Sequence, residues 1–150
     1  MPKPVYLICS QSGAQDKDSG LLSVFQIIEK IQFSKTLLPN AIPMIQMQIS
    51  AAWMREPSDI GVQFQFDTTV FIPPDDTVFE AGSGEFVFDG HFQRITGRII
   101  GFLPIQGAGV MRVRHRVRRV GASDWLVQEF AIVVEDETPA VEPSLAPSNN

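Results

Sequence analysis

Four arginines at alternate positions, Arg112, Arg114, Arg116 and Arg118, are the densest concentration of one chemistry in this chain. In an extended strand successive side chains point to opposite faces, so all four share one face over about 20 Å. Met111, Val113, His115 and Val117 share the other. Such a strip could hold phosphate, nucleic acid or an acidic protein partner through charge-assisted hydrogen bonds. The plainer reading is a solvated outer sheet face whose arginines discourage edge-to-edge pairing. The polar stretch Gly121–Asp124 then turns the chain back into Trp125–Glu135. Placing Val120 opposite Trp125 sets Arg116 against Glu129, His115 against Phe130, Arg114 against Ala131 and Arg112 against Val133. In that register both apolar faces coincide.

A second set of groups is acidic. Asp75, Asp76 and Glu80, with Glu85 and Asp89 further on, could gather oxygens around Ca²⁺, which takes six to eight of them. Their spacing matches no EF-hand loop, and solvated turns explain them equally. The two histidines, His91 and His115, exclude a three-histidine zinc site, and the single Cys9 excludes a thiolate cage or an internal disulfide. His115 falls on the inner face, where a neutral imidazole with one hydrogen bond is expected. Asp89 beside His91 reads as turn chemistry. No nucleophile-elbow sequence supplies a serine for either histidine. Gly82-Ser83-Gly84 and Gly107-Ala108-Gly109 lack the Lys-Ser/Thr of a phosphate loop, and are expected to be turns. No cofactor is expected.

The elements that must position these groups are strands. Ile60, Val62, Phe64, Phe66, Thr68 and Val70 alternate with small or polar residues. Ile45, Met47, Ile49, Ala51 and Trp53 repeat the pattern, as do Leu126, Phe130, Ile132 and Val134. Breakers fall between the runs: Pro39 and Pro43, Pro57 with Asp59, Pro73 to Asp76, Asp89-Gly90, Pro104 and Gly121. Residues 20–31 fit either a helical stripe capped by Ser19 or a β-branched strand. The pattern predicts an all-β fold, a single antiparallel β-sandwich of seven to nine strands. Its core should hold Trp53, Phe64, Phe66, Phe86, Phe88, Phe130 and Ile132.

The chain has 150 residues, enough for one domain with a core. Its formal charge of −5 is unevenly spread. Residues 56–89 carry eight acids and no base, and residues 90–123 carry seven arginines and no acid. The end of the chain, EDETPAVEPSLAPSNN, adds four acids, three prolines and few bulky apolar groups. Such a composition cannot offset its ordering entropy, so residues 137–150 are expected to be a disordered acidic tail after a domain at 3–136. The acidic balance disfavours a nucleic-acid partner. No apolar run is long enough to span a membrane, and the opening residues do not read as a secretory signal, so a cytoplasmic protein is expected.

The order of motifs resembles an uncharacterised bacterial β-sandwich family known only as a domain of unknown function. The matching pieces are Val5-Tyr6-Leu7-Ile8-Cys9, then Gly20 to Phe25 with Ile27 and Ile28, then the Pro39–Pro43 loop. At the far end they are Gly109 to Arg119 and Trp125 to Glu135. The resemblance spans most of residues 4–135. The chain departs from it in lacking a lysine after Gly20 and in carrying Pro74-Asp75-Asp76 where Pro-Asp-Gly is usual. It implies an immunoglobulin-like or related sandwich, with strand rather than helix over residues 20–31, and brings no activity with it. The expected function is a non-enzymatic binding or assembly module of a bacterial cell, with a protein partner or a second copy as ligand. The alternative is a metal- or small-ligand-dependent protein or enzyme using the acidic loops around residues 75–91.

Overall fold

A computed structural model describes residues 1–16, 22–34 and 44–137, apart from the side chains of Met44 and Phe102. The Pro39–Pro43 loop, Ser19 and residues 138–150 of the expected tail lie outside the described residues. The described residues form nine strands: β1 (Lys3–Gln15), β2 (Leu22–Ile27), β3 (Lys30–Phe33), β4 (Met44–Met54), β5 (Gln63–Ile72), β6 (Thr77–Val87), β7 (Phe92–Phe102), β8 (Gly109–Arg119) and β9 (Leu126–Asp136). They form two sheets, ordered β2-β1-β4-β7 and β3-β9-β8-β5-β6. The four-stranded sheet is antiparallel. The five-stranded sheet is mixed, because β3 runs parallel to β9, which corrects the expectation of a purely antiparallel sandwich.

Period-two alternation accounts for the core. Ile45, Met47, Ile49, Ala51 and Trp53 of β4 face Met111, Val113 and Val117 of β8 and Ile132 and Val134 of β9 across the sheets, all buried. Phe64 and Trp53 are fully buried and Phe88 nearly so. Phe66 and Phe86 are half-buried against them, in a cluster of offset and edge-to-face rings. Phe130 packs on the larger apolar cluster. Residues 22–27 and 30–33 are strand.

The two long sides of the sandwich differ. Between β2 and β3 the chain crosses from one sheet to the other through Ile28 and Glu29. There the Ile28 N–H donates to Cys9 O (2.8 Å) and the Val133 N–H donates to Glu29 O (2.9 Å), so backbone bonds stitch that side shut. On the opposite side the edge strands are β6 and β7, which belong to different sheets and do not pair.

Gly82-Ser83-Gly84, expected to be a turn, lies inside β6. Its glycines serve the strand. Gly82 sits at φ 157° where the β5–β6 ladder slips between Thr68 and Thr69. At Gly84 a Cβ would lie 2.9 Å from Phe66 Cε1, so the missing side chain makes room for that ring.

Candidate functional site

The four arginines share the outer face of β8 and are half-buried. Arg112 Nη2 bonds Asp76 Oδ2 at 2.9 Å, and Arg114 Nε bonds Glu129 Oε1 at 2.8 Å. Arg116 grips Asp67 with two parallel bonds of 2.8 and 2.7 Å. With the Gln65 amide turned to present its oxygen, Arg118 donates to it twice, at 2.8 and 2.9 Å. The stems and heads also stack. Arg112 and Arg114 flank the Phe71 ring at 4.9 and 4.7 Å, and Arg116 and Arg118 flank Trp125 at 4.5 and 4.3 Å. The strip is thus an immobilised ladder in which three of the four charges already hold a carboxylate and the fourth holds an amide oxygen.

Its register against β9 is two residues away from the expected one. Arg114 faces Glu129, His115 faces Gln128, Arg112 faces Ala131 and Arg116 faces Val127. An even slip keeps every side chain on its expected face. The cause is the turn. Val120 N–H donates to Gln63 O, and Ala122 N–H donates to Arg119 O, so Val120 extends the pairing with β5 instead of closing on Trp125.

Asp75 and Asp76 are exposed in the β5–β6 turn and Glu80 is exposed on the outer face of β6. Asp76 is committed to Arg112. Among the described residues, no three His, Cys, Asp or Glu side chains gather as a metal cage. His91 is exposed after the Asp89-Gly90 corner.

Among the described residues, the buried titratable groups are Cys9, Asp59 and His115. Burial pushes the Cys9 thiol up to about 12, which makes it an inert core group. Asp59 is fully enclosed, yet it accepts from the Glu56 N–H (2.9 Å) and from Arg119 Nη2 (2.8 Å). Burial alone would raise its pKa. These bonds, with the Met1 ammonium, outweigh that and hold it below the usual carboxylate range. It ties a corner together.

His115 is different. It is 1% exposed, on the inner face of β8. Its Nδ1 lies 2.8 Å from Thr68 Oγ1 on the adjacent strand β5. Its ring stacks on Phe66 at 5.6 Å and lies 6.1 Å from Trp53. Burial lowers its pKa to about 4, against the opposing pull of the Asp67 charge, so the ring is neutral near pH 7. Its Nε2 is buried and meets no hydrogen-bond partner among the described residues. A buried polar atom left so costs roughly 1–3 kcal/mol, and calls for an explanation.

His115 also borders a cavity on the open side of the sandwich. Between the β6 and β7 edges a cavity of about 180 Å³ enters the space between the sheets. Ile49, Phe66, Ile99, Thr68 and His115 line its inner part. Gly82, Ser83, Thr96 and Gly97, all exposed, line its mouth. The cleft persists because small residues stand where the alternation calls for large ones. On β7, Ile95 and Ile99 face inward and Gly97 stands between them, and a Cβ there would have no atom within 4 Å. The lining holds no carboxylate, lysine or arginine. Chemically, the cleft can enclose a small apolar body. Sequence reasoning placed His115 on the inner face but missed the cleft. The available signal was a glycine inside a strand pattern, Ile95-Thr96-Gly97-Arg98-Ile99.

Compared with known protein-family models and with curated proteins, the chain matches none. The likeness in motif order therefore reaches only as far as an all-β chain with two sheets.

Proposed function

We propose that this protein is a non-enzymatic binding module whose ligand is a small molecule held in the cleft between the β6 and β7 edges. One observation carries the reading: a largely apolar cavity bordered by the buried His115 opens between the sheets where Gly97 leaves its strand without a side chain. The size suits it, since a cavity of about 150 Å³ accommodates benzene. Against catalysis stands the surrounding chemistry. The hydroxyl nearest the imidazole, that of Thr68, sits on Nδ1, where it orients the ring, and no carboxylate backs the pair. The arginine ladder reads as the rigid outer wall of this module, because its charges are spent on their own neighbours.

An immunoglobulin-like relationship is part of the same proposal. Its support is the strand order: β9-β8-β5-β6 follows the G-F-C-C′ order of variable-type domains, and β4 lies beside β7 as strand B lies beside E. In this reading β1 is an added strand.

The test is thermal unfolding with millimolar single-ring compounds, on the native chain and on Gly97→Val. A ligand of the folded state raises Tm with concentration. A dose-dependent rise in the native chain, absent in Gly97→Val, is expected. Equal responses in the two proteins would refute a site in the cleft.

A further inference from the structure

The two strand edges on the open side of the sandwich are complementary to each other. β6 ends one sheet and β7 ends the other, and each is an 11-residue strand with one side unpaired. The pleat sorts their outward side chains. On β6 these are Val78, Glu80, Ser83, Glu85 and Val87, and on β7 they are Phe92, Arg94, Thr96, Arg98 and Ile100. β6 carries no base and β7 no acid. The four apolar residues at the ends of these rows are all exposed, Ile100 at 72%. Arg94 Nε donates to Tyr6 Oη (3.1 Å) and Arg98 Nε to Gln48 Oε1 (3.3 Å), which holds both guanidinium groups on the outer face.

Charges on an edge strand ordinarily discourage pairing, and here they discourage each edge from pairing with its own kind. Antiparallel β6 against β6 sets Glu80 beside Glu85, and β7 against β7 sets Arg94 beside Arg98. Antiparallel β6 against β7 does the reverse. With Ala81 as the extra residue where the β5–β6 ladder slips, one register places Val78 opposite Ile100 and Glu80 opposite Arg98. The same register places Ser83 opposite Thr96, Glu85 opposite Arg94 and Val87 opposite Phe92.

Within one chain the two edges do not form this ladder. Facing sheets lie about 10 Å apart, whereas paired strands need about 4.8 Å, and the cleft enters between them. A second copy supplies what is missing. Residues 88–91 join β6 to β7 and are too few to run back along a whole strand, so the two edges point in opposite directions. A two-fold axis parallel to the strands, just outside the cleft mouth, therefore sets β6 of each copy antiparallel to β7 of the other, at matching heights. We propose that this protein pairs with a second copy of itself through the β6 and β7 edges, each sheet of one copy continuing into the other sheet of its partner. Ion pairs occupy the middle of each ladder and apolar pairs its two ends. Gly82 and Gly97, where a Cβ would meet no atom within 4 Å, stand opposite each other at the slip and bring no side chain into the joint. Both open edges are consumed at once, so association closes at two copies instead of growing into a fibre. The two clefts then open onto one chamber between the copies. This pairing does not depend on what the cleft holds.

Sedimentation equilibrium of the full chain tests this with two charge-reversed variants. The native chain should sediment at twice the monomer mass. Glu80→Arg/Glu85→Arg puts arginine on both edges and Arg94→Glu/Arg98→Glu puts glutamate on both, so each variant alone should lose the dimer. Mixed in equal amounts they should recover it as a one-to-one heterodimer, because opposite charges then meet in both ladders. A chain carrying Ser83→Cys and Thr96→Cys should, on oxidation, become a covalent dimer, with the buried Cys9 taking no part. A native chain that stays monomeric at its highest soluble concentration overturns the proposal. So does a dimer that survives in both charge variants, which would place the contact elsewhere, or a mixture of folded variants that stays monomeric. If the charge variants fail to fold, the cysteine chain decides alone. A disulfide between chains supports the pairing, and one closed within a single chain shows that the two edges zip onto each other and overturns it.

Discussion

The Thr68 hydroxyl and His115 Nδ1 meet at 2.8 Å between paired residues of neighbouring strands, inside the sandwich. The contact fixes the ring against Phe66, while its other nitrogen is buried without a partner among the described residues. Thr68→Val, which keeps the shape and removes the oxygen, strands Nδ1 in the core and should cost roughly 1–3 kcal/mol. The double variant Thr68→Val/His115→Phe should cost less than the two single changes added, because it removes both partners. Urea denaturation of the four proteins measures this. Strict additivity would mean that the contact contributes nothing.

His115 also predicts how stability depends on pH. Its folded-state pKa, about 4, lies below the ordinary 6.5 because burial penalises the cation. Between those values the unfolded chain binds more protons than the folded one, so stability falls as pH falls. The contribution is complete above about pH 6.5 and is lost as pH drops to about 4. It amounts to something on the order of 3 kcal/mol. Unfolding free energies across pH 4–7 should therefore slope more steeply for the native chain than for His115→Phe. Parallel curves would contradict a buried neutral imidazole.

Gly97 carries a separate thermodynamic signature. Its φ lies outside the left-handed region and a Cβ there collides with nothing. Gly97→Ala should then stabilise the protein by about 0.4–1 kcal/mol by restricting the unfolded chain, and Gly97→Val, which also suits a strand, at least as much. A site that would be more stable filled than open is the pattern expected when openness serves function. A loss of stability in both variants would show the cleft to be smaller than described.

The arginine ladder makes the opposite kind of prediction. Asp67 and Arg116 are joined by two bonds and are both about a quarter to a third exposed. A double-mutant cycle with Asp67→Asn and Arg116→Gln should give a coupling of up to about 1 kcal/mol that shrinks with salt. Because Asp67 and Glu129 occupy the arginines, the native chain should elute early from a heparin column. Asp67→Asn/Glu129→Gln should be retained longer. Strong retention of the native chain would instead favour the strip as an anion site.

The faces of this protein were legible in its sequence, and the spaces between them were not. Alternation placed the arginines outside and His115, Trp53 and Ile132 inside, since the strand period fixes a side chain's face whatever its partner. Register was not legible, because it depended on a backbone bond from Val120 to Gln63, far away in sequence. The parallel pairing of Lys30–Phe33 with β9 joins opposite ends of the chain and leaves no local mark. The cleft needed two facts at once: that β6 and β7, consecutive in sequence, end in different sheets, and that Gly82 and Gly97 both line the gap. Glycines in such runs read first as turns, and Gly82-Ser83-Gly84 was expected to be one. Only the paired strand gives a missing side chain its meaning.

The most direct test of the account is a methyl-resolved NMR titration of the native chain and of Gly97→Val with cyclopentane. The account predicts saturable shifts confined to Ile49, Ile95 and Ile99 and to the His115 ring, and their loss in a Gly97→Val protein that remains folded. Shifts scattered over the surface, or identical in the two proteins, would contradict it.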